Sequence, residues 1–107
     1  MPNPLQVKII LNELEQAMLN CGLWSITKPS KEALASTQPF CLDTLAFEQW
    51  LQFVLISRFH AMIDSGAPLP PNMKLMPIAE EAFKEYKQDL SKVMQVIQTL
   101  DNYFNES

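Results

Sequence analysis

Apolar residues recur along this chain at helical spacing and nowhere in the alternation of a half-buried strand. From Leu5 to Cys21, the positions Val7, Leu11, Leu14, Met18 and Cys21 follow in steps of four and three, with Ile10 and Ala17 widening the stripe. Such steps return to one side of a 3.6-residue helix, so the segment predicts an amphipathic first helix. Gly22 then suits its C-cap, because a residue without Cβ adopts positive φ at little steric cost. A second long helix is predicted from about Thr44 to Asp64, with Asp43 as N-cap and Gly66 just beyond its end. A third follows Pro77, where Ala79, Phe83, Tyr86, Leu90, Val93, Ile97, Leu100 and Phe104 keep strict steps of four and three. Its other face carries Glu80, Glu81, Lys84, Lys87, Asp89 and Lys92, a solvated mixture.

The intervening stretches read as breaks. Pro29 and Pro39 punctuate residues 23–43, leaving room for a short helix from Lys31 to Ala35 capped by Ser30. Pro68, Pro70, Pro71 and Pro77 lock φ along residues 65–77 and favour an extended crossover, a better reading of the Pro68 to Pro71 spacing than a docking ligand. The prediction is an all-α fold, a small four-helix bundle of three long helices and one short, forming a single domain over residues 1–107. In it the C-terminal heptad face packs on the central helix. Helix one supplies a complementary stripe, which favours a monomer over a two-fold coiled coil.

Composition narrows the partners. With 48% apolar residues in 107, the chain can bury a core without staples. Its formal charge is −4, and seven lysines and one arginine are spread along it, so no basic stripe exists for nucleic acid. Cys21 and Cys41 lack the density of a disulfide scaffold and the spacing of a zinc site, and a reduced, cytoplasmic setting follows. The start Met-Pro-Asn-Pro lacks the basic region of a signal peptide, and the unbroken apolar run Phe53 to Ile56 is far short of the roughly 20 residues of a membrane span.

Catalytic chemistry is sparse. His60 is the sole histidine, which excludes a multi-histidine metal centre, and two distant glycines cannot build a phosphate-cradling loop. The cysteines read as structural, and Glu80 and Glu81 point about 100° apart on a helix, poor geometry for a shared substrate. Met18, Met62, Met73, Met76 and Met94 read as core filler before they read as an adaptable groove. No cofactor and no metal are implied, and the chain is not expected to be an enzyme. Glu48, Gln52 and Arg58 are the polar residues from which any catalysis would have to be built, without a nucleophile and base among them.

The central helix stands apart. A wheel at about 100° per residue gathers Phe47, Trp50, Leu51, Val54, Leu55, Ala61 and Met62 on one face, with Arg58 in its middle. Glu48, Gln49 and Gln52 fall opposite, interleaved with Leu45, Ile56, Phe59 and Ile63, so the helix is expected to be packed on most of its circumference as the hub of the bundle. Arg58 has two readings. It lays its stem along apolar surface or pairs internally with Asp43 or Glu48, or it sits at the inner end of a cleft and anchors a carboxylate.

Ser36-Thr-Gln-Pro-Phe40, Asp43-Thr44, Trp50-Leu-Gln52, Val54-Leu-Ile56, Arg58, His60 and Pro68-Leu-Pro70 stand at spacings that resemble the YqcC-like proteins. The resemblance implies an all-helical bundle of the bacterial cytoplasm with no assigned activity. Its genes often neighbour a tRNA pseudouridine synthase, which implies shared context and not shared activity. This chain departs from the family pattern at Ser57, where a proline precedes the arginine, and at Gln49, where an acid precedes the tryptophan. Two functions follow as expectations. One is a non-catalytic accessory module that docks on a protein partner through an apolar groove. The alternative is a small-ligand site lined by Trp24, Phe40, Trp50 and Arg58. Glu48 and Gln52 complete the candidate site residues.

Overall fold

The structure is a computed structural model that describes residues 3–38, 41, 43–70 and 72–106. Among them are five helices and no strand: α1 (Pro4–Asn20), α2 (Lys31–Leu34), a continuous central helix over residues 47–65, α5 (Met76–Phe83) and α6 (Ser91–Glu106). The central helix has three parts, α3 (Phe47–Trp50), a π-helical segment (Leu51–Ile56) and α4 (Ser57–Ser65). None of these helices is long and apolar enough to cross a membrane. The small all-α bundle is as predicted.

The stripe on α1 is buried as its spacing requires, at Val7, Ile10, Leu11, Leu14, Ala17 and Met18. Asn3 caps the helix with its side chain on the Leu5 N–H at 2.9 Å. Both glycines lie at helix ends with left-handed backbone, Gly22 at φ 81° and Gly66 at φ 75°. In each case the next N–H reaches back five residues, Leu23 to the Met18 carbonyl and Ala67 to the Met62 carbonyl, both at 2.9 Å. These bonds satisfy carbonyls that a helix end would otherwise leave without partners. Ser30 caps α2 as predicted, its hydroxyl accepting the Ala33 N–H at 3.1 Å.

The start of the central helix is not where the sequence placed it. Asp43 is not its N-cap. The N–H groups of Thr44 and Leu45 turn back to the Cys41 carbonyl at 3.0 and 2.8 Å, which sets Thr44 and Leu45 in a turn ahead of the helix, and the Asp43 carboxylate accepts the Ser36 hydroxyl. The helix begins at Phe47, and Gln49 Oε1 accepts the Ala46 N–H at 2.9 Å. Half of a capping box is thereby supplied by a glutamine three residues into the helix.

The C-terminal run forms two helices where one was predicted. Asp89 Oδ1 accepts the Ser91 N–H at 3.0 Å as well as the Ser91 hydroxyl, and so restarts the backbone after a seven-residue break between Phe83 and Ser91. Those bonds, the side-chain one first, hold the exposed Asp89 carboxyl below its ordinary pKa. The apolar phase survives: Ala79, Phe83, Leu90, Val93, Ile97, Leu100 and Phe104 are buried and Tyr86 is half-buried. The break lets α5 pack back on α6, which one straight rod could not do. The principal partner of α6 is α1, and not the central helix as predicted. The central helix meets α6 at the Phe59 and Phe104 rings, 5.8 Å apart. Part of the space between these two helices is taken by the crossover that brings Leu69, Met73 and Leu75 into the core.

The π segment corrects the wheel. Phe47, Leu51, Leu55 and Phe59 all enter the main core, a series in steps of four. At about 100° per residue each such step drifts by roughly 40°, and a wider turn removes the drift. The wheel therefore fails beyond Leu51. Ile56 and Phe59 are buried, as packing on most of the circumference predicts, but Gln52 is buried among them and Ala61, set on the broad apolar face, is exposed. The Ser57 hydroxyl donates to the Gln52 carbonyl at 3.3 Å, occupying an acceptor inside the widened turn.

Candidate functional site

The crossover after Gly66 becomes a strap, described over residues 67–70 and 72–75, and α6 holds it by two side chains. Asp101, 5% exposed, accepts the Leu75 N–H on both oxygens, at 2.9 and 2.8 Å, and the Met76 N–H at 2.8 Å. A carboxylate placed at the start of α5 satisfies donors that the helix leaves open and meets the positive end of its dipole. Asn105 pairs with both polar groups of the Met73 backbone, accepting its N–H at 3.2 Å and donating to its carbonyl at 2.8 Å.

Between strap and central helix runs a groove of about 400 Å³. Trp50, Val54, Leu55, Arg58 and Phe59 line it from the helix, and Pro70, Asn72, Met73, Lys74 and Leu75 from the strap. Its helical wall overlaps the π segment, a backbone irregularity that frequently accompanies functional sites. Trp50 is half-buried and stacks on Phe47, ring centroids 5.8 Å apart and planes 8° apart. Arg58 is exposed on the groove wall and is not enclosed at an inner end. The internal partners weighed for it are engaged elsewhere, Asp43 by Ser36 and Glu48 by Tyr86.

The sequence-predicted residues therefore do not form one site. Trp50 and Arg58 share the groove. Trp24 and Gln52 line a different hollow with Glu15, Phe53, Ile56, Ser57 and His60. Phe40 lies outside the described residues. Gln52 serves the fold: its amide accepts the Ser25 N–H and donates to the Ser25 carbonyl, both at 2.8 Å, pinning the loop after α1 to the central helix. Glu48 accepts the Tyr86 hydroxyl on both oxygens, at 2.8 and 3.0 Å. Burial first, then this hydrogen bond and the charge of Glu48, push the Tyr86 pKa up to about 12.

The second hollow sets Ser57, His60 and Glu15 near one another, residue types that could suggest a nucleophile and its base. Among the described residues none of the three is hydrogen-bonded to another, and the Ser57 hydroxyl is committed to the Gln52 carbonyl. No group of three or more His, Cys, Asp or Glu residues gathers to hold a metal among the described residues. Cys41 is buried, and Cys21 Sγ donates to the Met18 carbonyl at 3.6 Å. What the groove offers is apolar surface beside exposed cations.

Sequence reasoning missed the strap's share of this groove and the residues that hold it. One signal for Asp101 was present, a carboxylate four residues after Ile97 and three before Phe104, on the edge of the apolar face of α6.

Comparison with known proteins gives this arrangement a family. The family model DUF446, described as tRNA pseudouridine synthase C, matches residues 6–103. The YqcC protein of Escherichia coli is 31% identical over 92% of this chain and 91% of its own length. The chain belongs to the YqcC-like family. The solution NMR structure of Escherichia coli YqcC superposes with a TM-score of 0.83, covering 97% of this chain and 89% of that one. A Haemophilus influenzae protein described as uncharacterized is 35% identical over 95% of both chains. A Pectobacterium carotovorum protein named tRNA pseudouridine synthase C is 43% identical over 65 residues, which are 61% of this chain and 17% of that protein. A match confined to that small share does not carry the larger protein's activity to this YqcC-like chain.

Proposed function

We propose that this YqcC-like protein is a non-catalytic accessory module that docks on a tRNA pseudouridine synthase through the groove between the central helix and the strap. The observation that carries this reading is the groove itself: apolar surface from Trp50, Val54, Leu55, Phe59, Met73 and Leu75 beside exposed cations, with no nucleophile and base joined nearby. Grooves of this composition accept helices and extended segments of other proteins. The choice of partner is supported by the Pectobacterium carotovorum protein, which bears the synthase name and contains, over 17% of its length, a stretch 43% identical to this chain.

The test is isothermal titration of the purified protein into the tRNA pseudouridine synthase encoded in the same genome, with ¹⁵N spectra to map the contact. The expected result is a stoichiometric complex whose largest shifts fall on the Trp50 indole and on the amides of Met73, Lys74 and Leu75. Absence of binding at micromolar concentrations, or a footprint centred on α1, would overturn the reading.

A further inference from the structure

The charge of this groove narrows what it accepts, an inference that rests on the docking reading above. The chain carries twelve acids against eight bases. The described residues lining the groove reverse that balance, with two cations, Arg58 and Lys74, and no acid. Both are exposed, and among the described residues neither has an ion pair or side-chain hydrogen bond. Three carboxylates of the central helix and α6 have other partners. Asp101 is held by the Leu75 and Met76 N–H groups, Glu48 accepts from Tyr86, and Asp64 lies 3.8 Å from Lys8.

We infer that the groove takes an acidic amphipathic segment of the partner protein, whose large apolar side chains cover Trp50, Val54, Phe59 and Met73 while its carboxylates meet Arg58 and Lys74. The two cations suit this differently. The Arg58 guanidinium grips one carboxylate in a two-pronged fork, whereas the ammonium of Lys74 acts as a point charge that tolerates several positions. Met73 adds an adaptable thioether surface that accommodates different apolar side chains. The apolar floor argues against a phosphate backbone, which needs a track of several cations and gains nothing from Val54 or Phe59. Hydrogen bonds from Asp101 and Asn105 hold the strap in place before any segment arrives, which reduces the ordering cost of binding.

The experiment uses the full chain and three short helical peptides that share a Leu and Phe face and carry Glu, Gln or Lys at the flanking positions. Titration into ¹⁵N-labelled protein should shift the Trp50 indole and the strap amides, with the Glu peptide bound about two- to tenfold tighter than the Gln peptide and the Lys peptide weakest. The double variant Arg58→Gln, Lys74→Gln should erase that ranking and leave the thermal midpoint unchanged. Equal affinities for the three peptides, shifts centred away from the groove, or stronger perturbation of the same residues by unfractionated tRNA would each overturn the inference. The synthase titration reports separately. A synthase that fails to bind, beside peptides that rank as expected, removes the docking partner and leaves the groove's chemistry standing. A synthase that binds, beside peptides of equal affinity, removes the acidic segment alone.

Discussion

Replacing Asp101 by asparagine keeps the shape of a buried side chain and takes away the charge that holds the strap. The carboxylate serves two donors, the N–H of Leu75, a residue only 2% exposed, and the N–H of the half-buried Met76. An amide in its place presents one accepting oxygen and one donating NH₂: with its oxygen at the Oδ2 position both backbone N–H groups keep an acceptor, but the NH₂ then takes the Oδ1 position, 2.9 Å from the Leu75 nitrogen, as a donor facing a buried donor. The donor facing the Leu75 N–H costs up to about 2 kcal/mol, and each of the two surviving bonds loses roughly 1 kcal/mol of charge assistance. The sum is about 2–4 kcal/mol, a large share of the roughly 5–15 kcal/mol that separates folded from unfolded domains. Urea denaturation followed by far-ultraviolet circular dichroism should place Asp101→Asn that far below wild type, with faster amide exchange at Leu75 and Met76. Asn105→Ala, at an exposed position, should cost only about 0.5–1.5 kcal/mol. An Asp101→Asn protein within about 0.5 kcal/mol of wild type, or an unchanged Leu75 amide, would refute the assignment of Asp101 as the strap's anchor. Because the strap is one wall of the groove, the same variant should also bind the synthase more weakly at temperatures where it remains folded.

Other substitutions test the fold at separate points. Leu90 is 8% exposed beside the break between α5 and α6, so Leu90→Ala should cost about 2–5 kcal/mol in urea titration while the exposed Lys87→Ala stays within about 0.5 kcal/mol. Equal losses from the two would defeat the packing assigned to the heptad face. Tyr86 holds its proton more tightly folded than unfolded, so its stabilisation is intact below pH 10 and is lost as pH climbs through about 12. The stability advantage of wild type over Tyr86→Phe should shrink across that window, and an advantage that stays constant would contradict the burial and Glu48 contact of the phenol. Gly66→Ala should cost about 1–2 kcal/mol through its φ of 75° alone, because an added Cβ there meets no atom within 4 Å. A neutral thermal midpoint would count against the left-handed cap.

Much of the bundle was legible because burial and period are the same fact on a regular helix. The stripe on α1 and both glycine caps were read correctly on those grounds. The break after Phe83 was not, since Asp89 restarts α6 with the apolar phase nearly kept, and a periodicity that survives an interruption cannot announce it. The central helix failed for a different reason. A wheel assumes one angular step, and the π segment changes that step at Leu51, so Gln52 was set among the polar residues opposite the broad apolar face when it clamps Ser25 in the interior. For the candidate site the limit was distance along the chain. Trp50 and Arg58 could be named from their own helix, whereas Met73, Lys74 and Leu75 join them only because Asp101 and Asn105 hold the strap from about 30 residues further on.

Arg58 was expected in an enclosed environment, and the structure sets it in an exposed one on the groove wall. An arginine enclosed among apolar side chains would need a buried partner, since a desolvated charge left alone is costly to the fold. The exposed Arg58 needs none. An exposed arginine keeps its access to water, so Arg58 imposes little desolvation cost on the groove wall it lines. Internal ion pairing therefore does not account for its presence on this wall. A side chain with an open two-pronged donor face, set across the groove from Lys74, fits the acidic segment proposed for this site, because a carboxylate matches that geometry in a way that Lys74 alone would not.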